Sequence, residues 1–284
     1  MNSIFVSDLH GRKGHYERLF KIISKELPEG VFFGGDLLPL KLKHDDSMKR
    51  FIENTLFSNI ELIHRESDKQ VRFFLIMGND DPRIYENIFI EADRRGTINY
   101  VNESSAKFGD YYVSGYPYVP PTPFMLKDWE KYDVSRFVDV GAISPEDGIR
   151  SIPLTNDKIK FSTISNDLMK LKEITPPEKT IFLFHSPPYN SLLDRASLDG
   201  KKIDHAPLDV HIGSIAIKRF IAKFQPFITL HGHVHESSRL TGSWKEQFGK
   251  TFSFSAAYEG PELAIIRFDT ENLENASRKL IKLS

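Results

Sequence analysis

Short apolar runs alternate with amphipathic stretches over residues 1–90, and this alternation constrains the fold more than any other feature of the sequence. Three runs have the length and composition of buried strands: residues 4–6, 31–33 and 71–77. Three stretches repeat apolar residues every three to four positions, which predicts helices: 16–27, 48–60 and 84–89. Strands that alternate with helices predict a parallel sheet with helical crossovers, and therefore an α/β fold.

The second half of the chain repeats this pattern less regularly. Further buried strands are predicted at 180–184 and 226–230, and Ser214 is placed to cap the helix between them. The alternating tail from 251 to 268 predicts antiparallel strands of a second sheet. We interpret residues 1–284 as a single domain with an insertion at about 116–179, which lies beside or over the site, forms a dimer contact, or is an ordinary surface loop.

Five of the predicted strands are followed by side chains that can bind a metal ion. These side chains are Asp8 and His10, Asp36, Asn79, His185, and His233 with His235. Open α/β sheets build their sites at the carboxyl ends of strands, so we expect these groups to converge. One ion needs four to six ligands, so seven indicate two ions that share a carboxylate, with Mn, Fe, Zn, Co or Ni preferred over Ca and Mg.

The histidines of the last group alternate with other residues. His231, His233 and His235 would point to one side of an extended chain. Such a cluster can bind metal, or it can be a hydrogen-bonded structural feature. For the loop at 79–81, helix capping is the simpler interpretation if the loop is considered alone.

In combination, these five motifs resemble those of the calcineurin-like metallophosphoesterases. The resemblance rests on Asp8-Leu9-His10, Gly35-Asp36, Gly78-Asn79, His185 and Gly232-His233-Val234-His235, in this order. It implies a four-layer αββα sandwich with two mixed sheets flanked by helices. The stretch after His185, with Asp194 and His211, is similar to prokaryotic Icc-like phosphoesterases within that family.

The resemblance also implies how the ligands are divided between two metal ions. Asp8, His10, Asp36 and His235 would hold one ion, and Asp36, Asn79, His185 and His233 the other. Two divalent ions, two carboxylates and one hydroxide leave a single positive charge, which suits a phosphoryl group. A hydroxide shared by the ions would then attack phosphorus in line. His231 is expected to be structural or to support a ligand, and His205 and His211 have no assigned role.

The sequence departs from the family pattern at Asp80. Many members carry a histidine there that helps the leaving group to depart, and an aspartate is a poorer acid near pH 7. The expected catalytic residues are Asp36, Asn79 and Asp80. The expected activity is hydrolysis of a small-molecule phosphoester, with a diester preferred to a monoester and Mn²⁺ the metal of choice in assays.

Two other function classes remain open on sequence grounds. One is a nuclease, against which the net charge of −1 argues because it gives no broad basic surface. The other is a non-catalytic metal-binding or protein-interaction scaffold on the same fold. The chain has no cysteine, which excludes thiolate ligands and cysteine nucleophiles. Neither a signal peptide nor a membrane span is expected, so we expect a cytoplasmic protein, and the sequence leaves a homo-oligomer open.

Overall fold

The structure is a computed structural model that describes residues 1–40 and 46–283. In chain order its strands are β1 (Asn2–Val6), β2 (Gly30–Gly34), β3 (Arg72–Ile76), β4 (Asn99–Tyr100), β5 (Ser105–Phe108), β6 (Tyr111–Tyr116), β7 (Thr180–Phe184), β8 (Lys202–Ile203), β9 (Ala206–Pro207), β10 (Ile228–His231), β11 (Lys245–Phe248), β12 (Thr251–Ser255), β13 (Leu263–Asp269) and β14 (Asn272–Ile281). Its α-helices are α1 (Lys13–Glu26), α2 (Asp46–Phe51), α3 (Ser58–Glu66), α4 (Glu86–Arg94), α5 (Asn156–Phe161), α6 (Ile164–Leu171), α7 (Ile215–Phe224) and α8 (Ser237–Thr241).

Two mixed six-stranded sheets form the centre of the fold. The first has the order β14-β13-β1-β2-β3-β4, in which β1 to β4 are parallel and β13 and β14 are antiparallel additions. The second has the order β11-β12-β10-β7-β6-β5, with β12, β10, β7 and β6 parallel. The prediction of two mixed sheets flanked by helices is confirmed.

Alternate residues of each strand supply two separate cores, which explains the layered order. Phe5 and Phe32 share a buried cluster with Leu183 and Leu230 from the other sheet, so this cluster lies between the sheets. Their neighbours belong to a second buried cluster that includes the helices. The Phe182 ring, for example, meets Phe220 of α7 edge-on at 5.2 Å. Each such buried side chain stabilises the fold by about 1.5–3 kcal/mol.

The helix predicted over 48–60 is longer and less regular than expected. It starts in the described residues at Asp46 and continues to Glu66, but residues Ile52–Phe57 form a π-helical segment. In the sequence, Asp45 and Asp46 are a plausible cap for this helix, and Asp45 lies outside the described residues. Ser214 does cap α7, because its Oγ accepts a hydrogen bond from the Ile217 N–H at 3.0 Å. In the described part of the chain, no helix has the length and apolar character needed to cross a bilayer.

Residues 117–179, here called the connecting segment, join the parallel neighbours β6 and β7. The sequence of residues 166–174 predicts a helix, which is present as α6, and the shorter helix α5 precedes it. Asp133 anchors the segment to α7, because its buried carboxylate accepts hydrogen bonds from Ser214 Oγ and from the Ile215 N–H, both at 2.6 Å. A carboxylate at a helix N-terminus is stabilised by the helix dipole.

Candidate metal centre

The predicted ligands follow the ends of five parallel strands by one to four residues, and the structure brings them together. His185 comes directly after β7, and Asp36 comes two residues after β2. Four of the side chains stand on residues with positive φ: Asp8 (56°), His10 (44°), Asp36 (53°) and His233 (71°). Non-glycine residues avoid this region because of steric cost, and such strain concentrates at functional sites. The loops after β1 and β2 support each other here through hydrogen bonds such as His10 N–H to Asp36 O at 2.8 Å.

Asp8, His10 and His235 form the first group that could hold an ion, with one ligand atom from each lying within 4.8 Å of the others. His235 Nε2 lies 3.2 Å from both Asp8 Oδ1 and His10 Nε2. Within the described residues, Asp8 Oδ2 and His10 Nδ1 are buried and have no hydrogen-bond partner. Buried polar atoms without partners are costly, and a cation at this place would satisfy them. The donor set therefore fits a divalent ion.

Asp36, His185 and His233 form the second group. His185 Nδ1 donates to the Gly34 carbonyl at 2.8 Å, which leaves Nε2 facing Asn79 Oδ1 at 3.0 Å and Asp36 Oδ2 at 3.2 Å. A histidine held through one ring nitrogen in this way presents the other to a metal. All four side chains are oxygen or imidazole donors, which also fits a divalent transition metal.

Asp36 connects the two groups. It belongs to a third cluster with His10 and Asp80, so its carboxylate is within reach of both sides of the site. Its Oδ1 accepts the Asp80 N–H at 2.8 Å, which fixes the orientation of the carboxylate. Asp36 is therefore the carboxylate common to two of the candidate ligand groups.

The ionisation of these groups is strongly perturbed in the metal-free protein. Burial alone would lower the pKa of His185, but the carboxylates of Asp36 and Asp8 raise it to about 10. For His233, burial and the charge of His185 lower the pKa to about 3. Burial alone would raise the pKa of Asp8, but the hydrogen bond and charge of His235 hold it well below its usual range. Opposite charges are thus concentrated in a buried site, as in centres built for cations.

Asp80 lies beside the site, and its Oδ2 is 3.7 Å from His10 Nδ1. Burial and the charge of Asp36 raise the pKa of Asp80 to about 8 in the metal-free protein. Its neighbour Asp81 has a structural role that the sequence did not reveal. The buried Asp81 carboxylate accepts N–H hydrogen bonds from Gly78 at 2.9 Å, Leu37 at 3.1 Å and Leu38 at 2.8 Å. Asp81 therefore ties the loop after β3 to the loop after β2, and is not a simple helix cap.

The expectation that three alternating histidines point to one side is wrong. Strand β10 ends at His231, and the chain then turns, with His233 in the left-handed region. His231 is fully buried and has contacts of its own, with Ser186 O at 2.9 Å and Thr229 Oγ1 at 2.8 Å from its two ring nitrogens. His231 therefore has a structural role, which is one of the two roles expected for it from the sequence. His205 is exposed in the turn between β8 and β9, away from the ligands.

A cavity of about 450 Å³ opens above the ligands. Its floor includes Asp36, Asn79, Asp80, His233 and His235, and its walls include residues 120–124 and 139–142 of the connecting segment. Part of the segment therefore lies over the site, which was one of the interpretations left open by the sequence.

His211 also lines the cavity, and no role could be assigned to it from the sequence. Its Nδ1–H donates to Asp194 Oδ1 at 2.8 Å. Asp194 is fully buried and is itself held by the N–H groups of Asn190 and Ser191, both at 2.9 Å. The signal in the sequence was present, an aspartate and a histidine 17 residues apart, but only the fold shows that they pair.

Comparison with known proteins agrees with this geometry. The profile of the calcineurin-like phosphoesterase family matches residues 1–237. The chain belongs to the calcineurin-like phosphoesterases. The match covers every predicted ligand from Asp8 to His235, and the resemblance inferred from the motifs is confirmed.

Solved structures share the fold of this family member at low sequence identity. The TT1561 protein of Thermus thermophilus aligns with a TM-score of 0.61 and 16% identity, covering 99% of each chain. A dimetal phosphatase from Danio rerio aligns with a TM-score of 0.53 and 9% identity, covering 100% of this chain and 99% of the other. At these identities the likeness shows the fold. Among curated proteins, no sequence matches the chain significantly.

Proposed function

We propose that this calcineurin-like phosphoesterase is a dinuclear metal-dependent hydrolase that acts on phosphodiesters in preference to monoesters. The observation that carries the proposal is the linkage of three ligand groups, because the third group shares His10 with the first and Asp36 with the second. Asp8, His10, Asp36 and His235 would hold one ion, and Asp36, Asn79, His185 and His233 the other. The mixed oxygen and nitrogen donors favour Mn, Fe, Zn, Co or Ni.

When bound, two such ions supply a hydroxide nucleophile near neutral pH and offset the charge of the phosphoryl group. The residues of the chain hold the site in shape for this. The Gly34 carbonyl orients His185, and the Asp80 N–H orients Asp36. The His233 N–H donates to Asp8 Oδ1 at 3.0 Å, which fixes the remaining carboxylate.

The preference for a diester follows from the charges around the cavity. The floor carries Asp36 and Asp80, and the walls carry Asp139, Asp209 and Glu236. Among the described residues that line the cavity, none is a lysine or an arginine. A monoester dianion would meet more repulsion here than a diester monoanion. The same charges disfavour a nucleic-acid substrate, whose phosphates are bound by basic residues.

Protonation of the leaving group is assigned to His211. Asp80 stands where many family members have a histidine, and bound cations would lower its pKa and keep it ionised. His211 faces the same cavity and is oriented by Asp194, the arrangement of a general acid with a supporting carboxylate. His211→Ala should therefore slow a phenyl ester more than a p-nitrophenyl ester, whose leaving group needs little protonation. Equal losses on both esters would contradict this role.

The deciding experiment compares Mn²⁺-dependent hydrolysis of bis-p-nitrophenyl phosphate and p-nitrophenyl phosphate by the wild type and by Asp36→Asn. Removing a carboxylate shared by both ions should cost more than about 100-fold, since even residues that only support ligands cost 10–100-fold. His205→Ala, an exposed histidine that belongs to none of the ligand groups and does not line the cavity, is the matched control and should behave as the wild type.

Each contrary result has a distinct meaning. A monoester cleaved faster than the diester would refute the diester preference. Stoichiometric metal binding without hydrolysis of either ester would favour the non-catalytic scaffold. Absence of metal binding would refute the dinuclear site itself.

A further inference from the structure

The cavity above the ligands has apolar walls that metal binding and phosphate chemistry do not require. Apolar side chains face it from two sides: Phe124 and Val140 from the connecting segment, and Leu198, Ile203, Leu208 and Ile212 from residues 196–212. Several of them remain exposed, Phe124 at 55% and Ile203 at 43% of their surface. Grouped exposed apolar side chains around a concave site are typical of ligand-binding surfaces.

The wall formed by residues 120–124 is held rigidly in place. Behind it, Lys127 and Glu130 form an ion pair at 2.5 Å with both side chains fully buried. Both partners also bind Thr122: Lys127 Nζ donates to its carbonyl at 2.8 Å, and Glu130 accepts its N–H at 2.7 Å and its hydroxyl at 2.6 Å. The apolar surface beside Thr122 is therefore preformed, which reduces the entropy cost of binding.

This wall is also linked directly to the loop that carries the ligand Asn79. The buried Trp129 donates its Nε1–H to the carbonyl of Asp81 at 2.7 Å. The apolar wall and the floor of the site are thus fixed relative to each other. A substrate whose phosphate binds at the floor would therefore place its ester group against the apolar wall. The acidic side chains of the walls, such as Asp139 and Asp209, disfavour a second phosphate on that ester group.

We infer that the substrate is a phosphodiester carrying an apolar ester group, an alkyl chain or aromatic ring, that packs between Phe124 and the Ile203–Ile212 side of the cavity. This inference rests on the proposed function and adds the substrate class to it. Nucleotide esters and polyphosphates, which need polar or cationic partners beyond the scissile phosphate, are excluded as preferred substrates. The phosphate would bind at the floor in the same manner for all members of the class.

The test is a series of alkyl p-nitrophenyl phosphates with the same leaving group and methyl, propyl or butyl as the other ester, assayed with Mn²⁺. Each methylene that becomes buried should raise kcat/KM by up to about fourfold, so butyl, with three more methylenes, should exceed methyl by up to about 60-fold and by roughly tenfold if about half of the added surface is buried. Thymidine 5′-(p-nitrophenyl phosphate) should be cleaved less efficiently than the butyl ester. Calorimetric titration should likewise show tighter binding of dibutyl phosphate than of dimethyl phosphate.

Two variants test whether the apolar walls cause the dependence on alkyl chain length. Ile212→Asn and Phe124→Ser should each reduce the ratio of butyl to methyl kcat/KM several-fold. Phe161→Ser is the control, because it removes a similarly exposed aromatic side chain on α5 that does not line the cavity. Phe161 is 65% exposed, compared with 55% for Phe124, and its substitution should leave the ratio unchanged.

The outcomes separate the inference from the proposed function. Hydrolysis of the methyl ester with no gain for propyl or butyl, or with the thymidine ester preferred, would overturn the apolar substrate class and leave the phosphodiesterase intact. Failure to hydrolyse any ester of the series with any metal would overturn the phosphodiesterase, and the inference with it.

Discussion

The buried ion pair between Lys127 and Glu130 gives a sharp test of how the wall of the cavity is stabilised. Both side chains are fully inaccessible, and Lys127 Nζ lies 2.5 Å from Glu130 Oε2. Burial lowers the pKa of Lys127 and raises that of Glu130, while each partner opposes the shift of the other. The attraction between the two charges therefore offsets the cost of burying them. If one partner is removed, the remaining charge stays buried and cannot be hydrated.

Lys127→Met keeps most of the side-chain volume but removes the ammonium group, with its charge and its hydrogen bonds to Glu130 and to the Thr122 carbonyl. The Glu130 carboxylate would stay buried with the two Thr122 donors but without a cation, a loss of about 3–5 kcal/mol in the free energy of unfolding. For a chain of this size about 2 °C is lost per kcal/mol, so the melting temperature should fall by roughly 6–10 °C. The double variant Lys127→Met/Glu130→Met should regain part of the loss, because no unpaired charge is left, although the Thr122 N–H and hydroxyl lose their acceptor.

Urea unfolding of the wild type, both single variants and the double variant would measure these differences in the free energy of unfolding. Without Lys127 the pKa of Glu130 should rise further, so the folded protein should retain a proton there. A carboxyl group whose pKa is raised in the folded state destabilises the protein as the pH rises. The loss in free energy of unfolding caused by Lys127→Met should therefore be smaller at pH 5 than at pH 8. Arg94→Met, in an exposed pair with Glu91, is the control and should cost less than about 1 kcal/mol. A loss below 1 kcal/mol for Lys127→Met, or a double variant no more stable than it, would refute the reasoning.

Three further predictions concern the metal centre. Removal of divalent ions with EDTA should lower the melting temperature, because Asp8 Oδ2 and His10 Nδ1 would again be buried without a partner; an unchanged melting curve would contradict this. Mn²⁺ affinity should rise from about pH 6 to about pH 9, because the pKa of His185 is raised to about 10 without metal and the imidazolium must lose its proton to bind. Calorimetry in buffers of different ionisation enthalpy should detect that proton, and an affinity independent of pH would exclude it. Gly232→Ala should weaken Mn²⁺ binding, because a Cβ there would clash with Ser7 Oγ and lie 2.7 Å from Asp8 Oδ2; equal affinity in a titration would count against the placement of Asp8.

The layered fold and the convergence of the ligands were predictable because both depend on local signals. Each strand is a short apolar run, and each ligand follows its strand by a few residues. Parallel alignment within each sheet gathers the ligands of that sheet, and the packing of the two sheets brings both sets together. The helix face predicted from Met48, Leu56 and Ile60 is buried as expected. Its π-helical segment was not predictable, because the same apolar spacing suits an α-helix equally well.

The errors and omissions arise where the structure depends on distant contacts. The alternation of His231 and His233 suggested a continuous extended chain, whereas the strand ends between them and the backbone turns. Asp81 looked like a helix cap, but its carboxylate oxygens accept from Leu37 and Leu38, more than forty residues away. No periodicity in the sequence records such partners.

The connecting segment shows why the substrate side of the site was the least predictable part. Its position depends on Trp129 binding the Asp81 carbonyl, and on Asp133 binding the start of α7. The same Asp81 holds the loops of the ligands through its carboxylate, so one residue links the wall of the cavity to its floor. A change in the wall that displaces Trp129 would therefore disturb the ligand loops as well. We therefore expect selectivity for the ester group and affinity for the metal to be coupled, so that substitutions near Trp129 alter both, whereas those at exposed apolar wall residues such as Phe124 alter only the selectivity.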